Sequence, residues 1–211
     1  NNLTGNGDQN RLEGGAGHDT LTGGDGNDIY VLSDLTTVSG VGGIPTRRIV
    51  YDDVVETNPR SDNPDLADGG LDLVIIAVIS TAKGAPRSYT LGQHVDNAQI
   101  TASGDFGLTG NELANDLRGN NEANRLDGQG GRDTLQGFGG NDTYVLSSTT
   151  STGSPTPVYD LVLEGEDGGI DTVIVQRGAG LLAPRGYTLG SNVENGVIGG
   201  TAGFSLSGNG L

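Results

Sequence analysis

Four aspartates carry most of the chemistry in this chain: Asp19, Asp28, Asp133 and Asp142. Each closes a short glycine-rich head. Residues 14–22 read GGAGHDTLT, 23–31 GGDGNDIYV, 128–136 GQGGRDTLQ and 137–145 GFGGNDTYV. All follow one nine-residue pattern of Gly, Gly, any, Gly, any, Asp, any, large apolar, any, with Gln129 and Phe138 standing in the second-glycine slot of the last two. Such a head turns sharply and exposes backbone carbonyls on the inside of the bend. Carbonyls and a carboxylate together make an all-oxygen ligand set, which suits a hard cation seeking about 6 to 8 oxygens.

Other chemistry is poorly represented. The two histidines, His18 and His94, lie far apart, and no HExxH pair exists for zinc. His18 occupies a variable loop position and is expected to face solvent. Gly203-Phe-Ser-Leu-Ser207 lacks the closing glycine of a nucleophile elbow, and Gly15-Ala-Gly17 and Gly178-Ala-Gly180 lack the third glycine of a dinucleotide loop. Carboxylate pairs abound, but in a repeat this acidic they arise without catalysis. No enzyme is expected.

The elements that position the four aspartates follow from the pattern. The three residues after each head are centred on Leu21, Tyr30, Leu135 or Tyr144 and read as brief strands with that side chain inward. Stacked units then form a coil of two strands and two turns per 18 residues, with loops two repeats apart side by side and an oxygen-lined gap between them. Three weaker copies share the spacing: residues 5–13, 110–118 and 119–127, whose loops end in Asn10, Asn115 and Asn124. Taken alone, these read as metal-free structural turns. Asn10 facing Asp28, or Asn124 facing Asp142, could instead complete a site by supplying an amide oxygen.

These nonapeptides resemble the repeats-in-toxin (RTX) family, whose repeat forms a calcium-binding parallel β-helix. The resemblance implies Ca2+ as the ion, an all-β parallel β-roll or solenoid, export by a type I route and folding outside the cell. Transferred position by position, the family's ligand scheme adds the carbonyls of Gly15, Gly17, Gly24, Gly26, Gln129, Gly131, Phe138 and Gly140 to the carboxylates of Asp19, Asp28, Asp133 and Asp142. Gln129 and Phe138 depart from the pattern, which weakens the transfer there.

Composition agrees. Of 211 residues 39 are glycine, with 4% aromatic and no Trp, Met or Cys, so stability must come from small apolar ladders, backbone hydrogen bonds and bound ions. The formal charge of −16 repels nucleic acid and anionic membranes and attracts multivalent cations. Without cation such a chain sits near the disorder boundary, so that binding and folding are expected to be one event. No apolar run is long enough for a transmembrane helix.

Between the repeat runs lie spacers. Residues 48–56 (RIVYDDVVE) read as a strand and 71–80 (LDLVIIAVIS) as a buried one, with irregular or sandwich-like packing expected. The spacers recur: Tyr51-Asp52 to Glu56 matches Tyr159-Asp160 to Glu164, Asp68-Gly-Gly-Leu-Asp72 matches Asp167-Gly-Gly-Ile-Asp171, and YTLGQHVDN (89–97) matches YTLGSNVEN (187–195). The two acidic turns are candidates for secondary calcium, with Glu56 and Glu164. The chain therefore reads as two modules, 1–107 and 108–205, followed by the start of a further repeat at 206–211.

Both ends cut through a nonapeptide run, so the expected context is a longer tandem array or end-to-end self-association. The leading functional expectation is a calcium-rigidified segment of a secreted surface protein: an adhesin, surface layer or matrix filament. The alternative is the secretion and folding domain of a secreted hydrolase or toxin. A carbohydrate-binding module ranks lower, for want of aromatic side chains.

Overall fold

A computed structural model describes residues 1–39, 47–56, 70–80, 87–149, 158–166, 168–176, 186–199 and 204–211. Asp68, Asp167, Gly203 and the Gly178–Gly180 pair lie outside them. Among the described residues every regular element is a strand. The chain divides into two compact units, Asn1–Ser103 and Gly104–Leu211.

In the first unit, strands Asn2–Thr4, Thr20–Thr22 and Asp53–Val55 pair in parallel, and Arg11–Leu12, Ile29–Leu32, Leu73–Ile76 and Asn97–Ile100 form a second parallel row. Consecutive nonapeptides thus alternate between two sheets, as a coil with two strands per turn requires. Register stacks like on like. Leu12 pairs with Tyr30, Tyr30 with Val74, and Val74 with Ala98, making an apolar column along the inside of the coil.

The second unit repeats the scheme. Phe106–Thr109, Asn124–Asp127, Thr143–Thr149, Thr172–Gln176 and Asn195–Gly199 form one parallel row, and Asp116–Arg118, Thr134–Gln136 and Leu161–Leu163 another. Ser205–Ser207 pairs in parallel with Gly186–Thr188. Leu108, Leu126, Tyr144 and Val173 form the column, each no more than 1% exposed. Burying a side chain of this size contributes about 2 to 3 kcal/mol, so the column substitutes for the missing aromatic core.

The spacers continue the coil as parallel rungs at uneven sequence intervals. Antiparallel pairing among the described residues is limited to Thr36–Ser39 with Arg47–Val50 and to Ser148–Thr149 with Val158–Tyr159. The 48–56 segment is two short strands, Arg47–Val50 and Asp53–Val55, rather than one. In 71–80 the strand is Leu73–Ile76, with Val74 and Ile76 fully buried while Leu71 is exposed, so the apolar run is one-sided. An edge-on aromatic pair marks each spacer: Tyr51 with Tyr89 at 5.9 Å and Tyr159 with Tyr187 at 5.4 Å. His94 and Asn192, which differ between the copies, both have left-handed backbone (φ 68° and 61°), a conformation that both residue types tolerate better than most.

Candidate metal sites

Two kinds of loop close the nonapeptides. Where the second and fourth slots are Gly15 and Gly17, or Gly24 and Gly26, the backbone is left-handed at both; Gln129 and Phe138 take the same left-handed φ as those glycines (67° and 76°), followed by Gly131 and Gly140. A non-glycine residue there costs about 1 to 2 kcal/mol. The first glycine answers to space rather than φ. A Cβ on Gly23 would overlap the Asp28 carboxylate and the Tyr30 hydroxyl, and one on Gly137 would overlap Asp142 and Tyr144.

The asparagine loops close on themselves. Asn10 Oδ1 accepts the Asn6 N–H (2.7 Å) and its Nδ2 donates to Asn6 Oδ1 (3.0 Å), while Asn6 Oδ1 also accepts the Asp8 N–H. Asn115 with Asn111 repeats this arrangement. Asn124 Oδ1 accepts from Asn120 N–H at 2.8 Å and its Nδ2 donates to the Phe106 carbonyl. The amide oxygens of Asn10 and Asn124 are therefore already engaged within their own loops. What these residues present to Asp28 and Asp142 is backbone N–H.

The aspartate loops remain open. Asp28 Oδ1 accepts the N–H of Asn10, 18 residues earlier, at 2.7 Å, and Asp142 Oδ1 accepts that of Asn124 at 2.8 Å. Asp133 Oδ1 accepts from Asn115, and Asp19 Oδ1 from the amino group of Asn1. The second oxygen of all four carboxylates is buried with no hydrogen-bond partner, and none of the four side chains is more than 1% exposed. Buried carboxylate oxygens without a donor are costly to maintain. A cation is the group that satisfies several at once.

Each open aspartate in turn donates its N–H to a spacer carboxylate one rung on. Asp19 donates to Asp52 and Asp28 to Asp72 (2.8 Å each), Asp133 to Asp160 (3.1 Å), and Asp142 to Asp171 (2.8 Å). The chain continues from Asp72 to Asp96 and from Asp171 to Glu194. In each unit two acidic ladders thus run from nonapeptide into spacer, across sequence intervals of 33 and 44 residues in the first and 27 and 29 in the second. Sequence reasoning missed Asp52, Asp96, Asp160 and Glu194 as members of these ladders. The available signal was that each pair, Asp52 and Asp160 or Asp96 and Glu194, recurs at matching places in the two copies.

Neighbouring loops also pack backbone against backbone. The Gly26 carbonyl lies against Gly70 and the Gly140 carbonyl against Gly169, while that of Phe138 faces Gly168. Burial, the largest influence, pushes Asp72 and Asp142 up to about 7 and Glu164 up to about 8; neighbouring carboxylates push in the same direction. Burial also raises Asp28, Asp171 and the adjacent Asp133 and Asp160. By contrast His18 is exposed, with Nε2 3.4 Å from Asp53 Oδ2 at the surface.

Fold and site together define a parallel β-roll with a buried, donor-poor carboxylate ladder, a class of repeat protein suited to cations. Residues 1–33 and 107–148 match the RTX calcium-binding nonapeptide repeat, in four copies. Those stretches carry repeats of the RTX kind, and RTX nonapeptide repeats bind calcium. Neither the curated proteins nor the solved structures gave a match.

Proposed function

We propose that this chain is a calcium-rigidified structural segment of a secreted surface protein of the adhesin, surface-layer or matrix-filament kind. The observation that carries the reading is the open second oxygen of Asp19, Asp28, Asp133 and Asp142, repeated in both units. The ligands are these four carboxylates, with the carbonyls of Gly15, Gly17, Gly24, Gly26, Gln129, Gly131, Phe138 and Gly140. Asn10 and Asn124 form the opposite wall at Asp28 and Asp142.

Placement outside the cell is supported by the calcium supply there. Extracellular modules bind at about 10⁻⁴ to 10⁻³ M, so such a chain would fold only after export. A structural role, with modules 1–107 and 108–205 and tandem or self-associating neighbours, is supported by the duplication of repeat and spacer together.

Far-UV circular dichroism during a calcium titration, with magnesium as control, tests the reading. A coil-to-β transition near millimolar calcium is expected, with none in magnesium. A β spectrum indifferent to chelator would reduce calcium to an incidental surface ligand. Light scattering in millimolar calcium tests self-association separately.

A further inference from the structure

In each unit a glutamate from the spacer joins the last nonapeptide aspartate. Asp28, Glu56 and Asp72 each bring a carboxylate oxygen within 4.8 Å of the others, and so do Asp142, Glu164 and Asp171. Only the first residue of each trio belongs to a nonapeptide. Asp28 and Asp72 are fully buried, and Asp142 and Asp171 are each 1% exposed. In all four, Oδ1 accepts or is offered one backbone N–H, whereas Oδ2 is buried with no partner.

Glu164 is held in place from its other oxygen. The Tyr144 hydroxyl donates to Glu164 Oε1 and accepts the Gly137 N–H at 2.8 Å, leaving Glu164 Oε2 buried and unpartnered. Tyrosine therefore ties the spacer glutamate to the head of the Asp142 loop. In the first unit the Tyr30 hydroxyl lies against Gly23 as Tyr144 does against Gly137. The carboxylate trio has formed twice, across loops of different length, although the tyrosine–glutamate hydrogen bond belongs to the second unit and the Tyr30 hydroxyl is buried without a partner.

We propose that each trio is a composite cation site, spanning the last nonapeptide loop and the spacer, in which Glu56 or Glu164 is a direct ligand to one calcium ion. The proposal rests on the calcium reading above and adds a ligand that the nonapeptide lacks. Oxygens within 4.8 Å of one another fit one calcium shell, whose ligands at about 2.3 to 2.6 Å place opposite oxygens about 5 Å apart. Magnesium, at about 2.0 to 2.1 Å and with a rigid octahedral shell, fits less well. With three carboxylates each, these are the richest carboxylate clusters among the described residues, so they fill first and order the spacer as they do.

The test is terbium luminescence excited through tyrosine, competed with calcium, on the full chain. Tyr30 and Tyr144 lie beside the two trios and report on them. For Glu164→Gln and Glu56→Gln, one high-affinity site is expected to weaken by about tenfold to a hundredfold per substitution, while metal-free stability rises because a buried ionisable group is replaced by a neutral one. Glutamine keeps an acceptor for the Tyr144 hydroxyl, and Glu164→Asp, which keeps the charge, should restore part of the affinity even if Glu164→Gln folds poorly. Glu166→Gln, at an exposed position, should titrate as wild type. If both glutamine variants titrate as wild type while Asp28→Asn and Asp142→Asn lose sites, the glutamates are not ligands and the proposal is wrong, although the loop reading stands. If the wild-type chain binds neither ion, both fall together.

Discussion

Removing calcium should reverse the sign of the protein's response to pH. In the metal-free fold Asp72 titrates at about 7 instead of 3.8, chiefly because burial disfavours its charge. The folded chain then holds a proton that the unfolded chain has released, so this contribution is intact below about pH 4 and lost as pH rises towards 7. The full shift corresponds to about 4 kcal/mol, and about half of that after allowing for solvent screening. Asp142 and Glu164 in the second unit are raised in the same direction, to about 7 and about 8.

Together such losses approach the roughly 5 to 15 kcal/mol that holds an ordinary domain folded. The calcium-free chain should therefore lose stability progressively between about pH 4 and 8. With millimolar calcium the dependence should invert over the same range, because the metal takes the deprotonated carboxylates and binds better as they ionise. Urea midpoints followed by circular dichroism, at half-unit pH steps in calcium-free and calcium-loaded buffer, read both arms. A calcium-free midpoint that is flat or rises from pH 5 to 8 would refute the argument, since it would mean that the buried ladder carries no strained charge.

Further expectations follow from individual positions. Gly137→Ala drives a methyl into the Asp142 carboxylate and the Tyr144 hydroxyl, and should cost about 3 kcal/mol by thermal melting in calcium. Gln129→Gly and Phe138→Gly relieve left-handed backbone and should each stabilise the calcium-loaded chain by about 1 kcal/mol. Asn115→Ala removes two hydrogen bonds to Asn111 and should cost the calcium-loaded chain about 1 to 2 kcal/mol by thermal melting while leaving the number of calcium ions bound unchanged, as befits a structural turn. Asp28→Asn should instead weaken calcium binding while leaving the metal-free chain at least as stable, measured by calorimetric titration and melting.

The repeat runs were legible because their signal is local. Nine residues contain the turn, the carboxylate and the inward apolar side chain, so Leu21 and Tyr30 could be placed in the core and Asp19 and Asp28 at the gaps from spacing alone. The spacers were less legible. Asp52 and Asp72 occupy the same rung position as a nonapeptide aspartate, but 33 and 44 residues beyond their neighbours, where no fixed period points to them. Lengthening a connecting loop adds only slowly to its closure entropy, so the coil tolerates uneven intervals that erase the periodicity. The Leu71–Ser80 run was misleading for a related reason, since composition cannot distinguish a strand buried on both faces from one buried on alternate residues.

By itself the sequence determined the repeat, its duplication, the glycine slots that need left-handed backbone or lack room for a Cβ, and the acidity that makes a hard cation the natural partner. Tertiary structure decided which carboxylates meet. Strand register stacks Asp28 on Asp72 and gathers Glu56 beside them, and it lets Asn10 and Asn124 satisfy their own loops while aspartates at the equivalent slots keep an oxygen open. The physical reason is that a coordination shell is assembled across rungs. Spacing along the chain specifies each rung, but only parallel pairing between rungs specifies which oxygens share a gap.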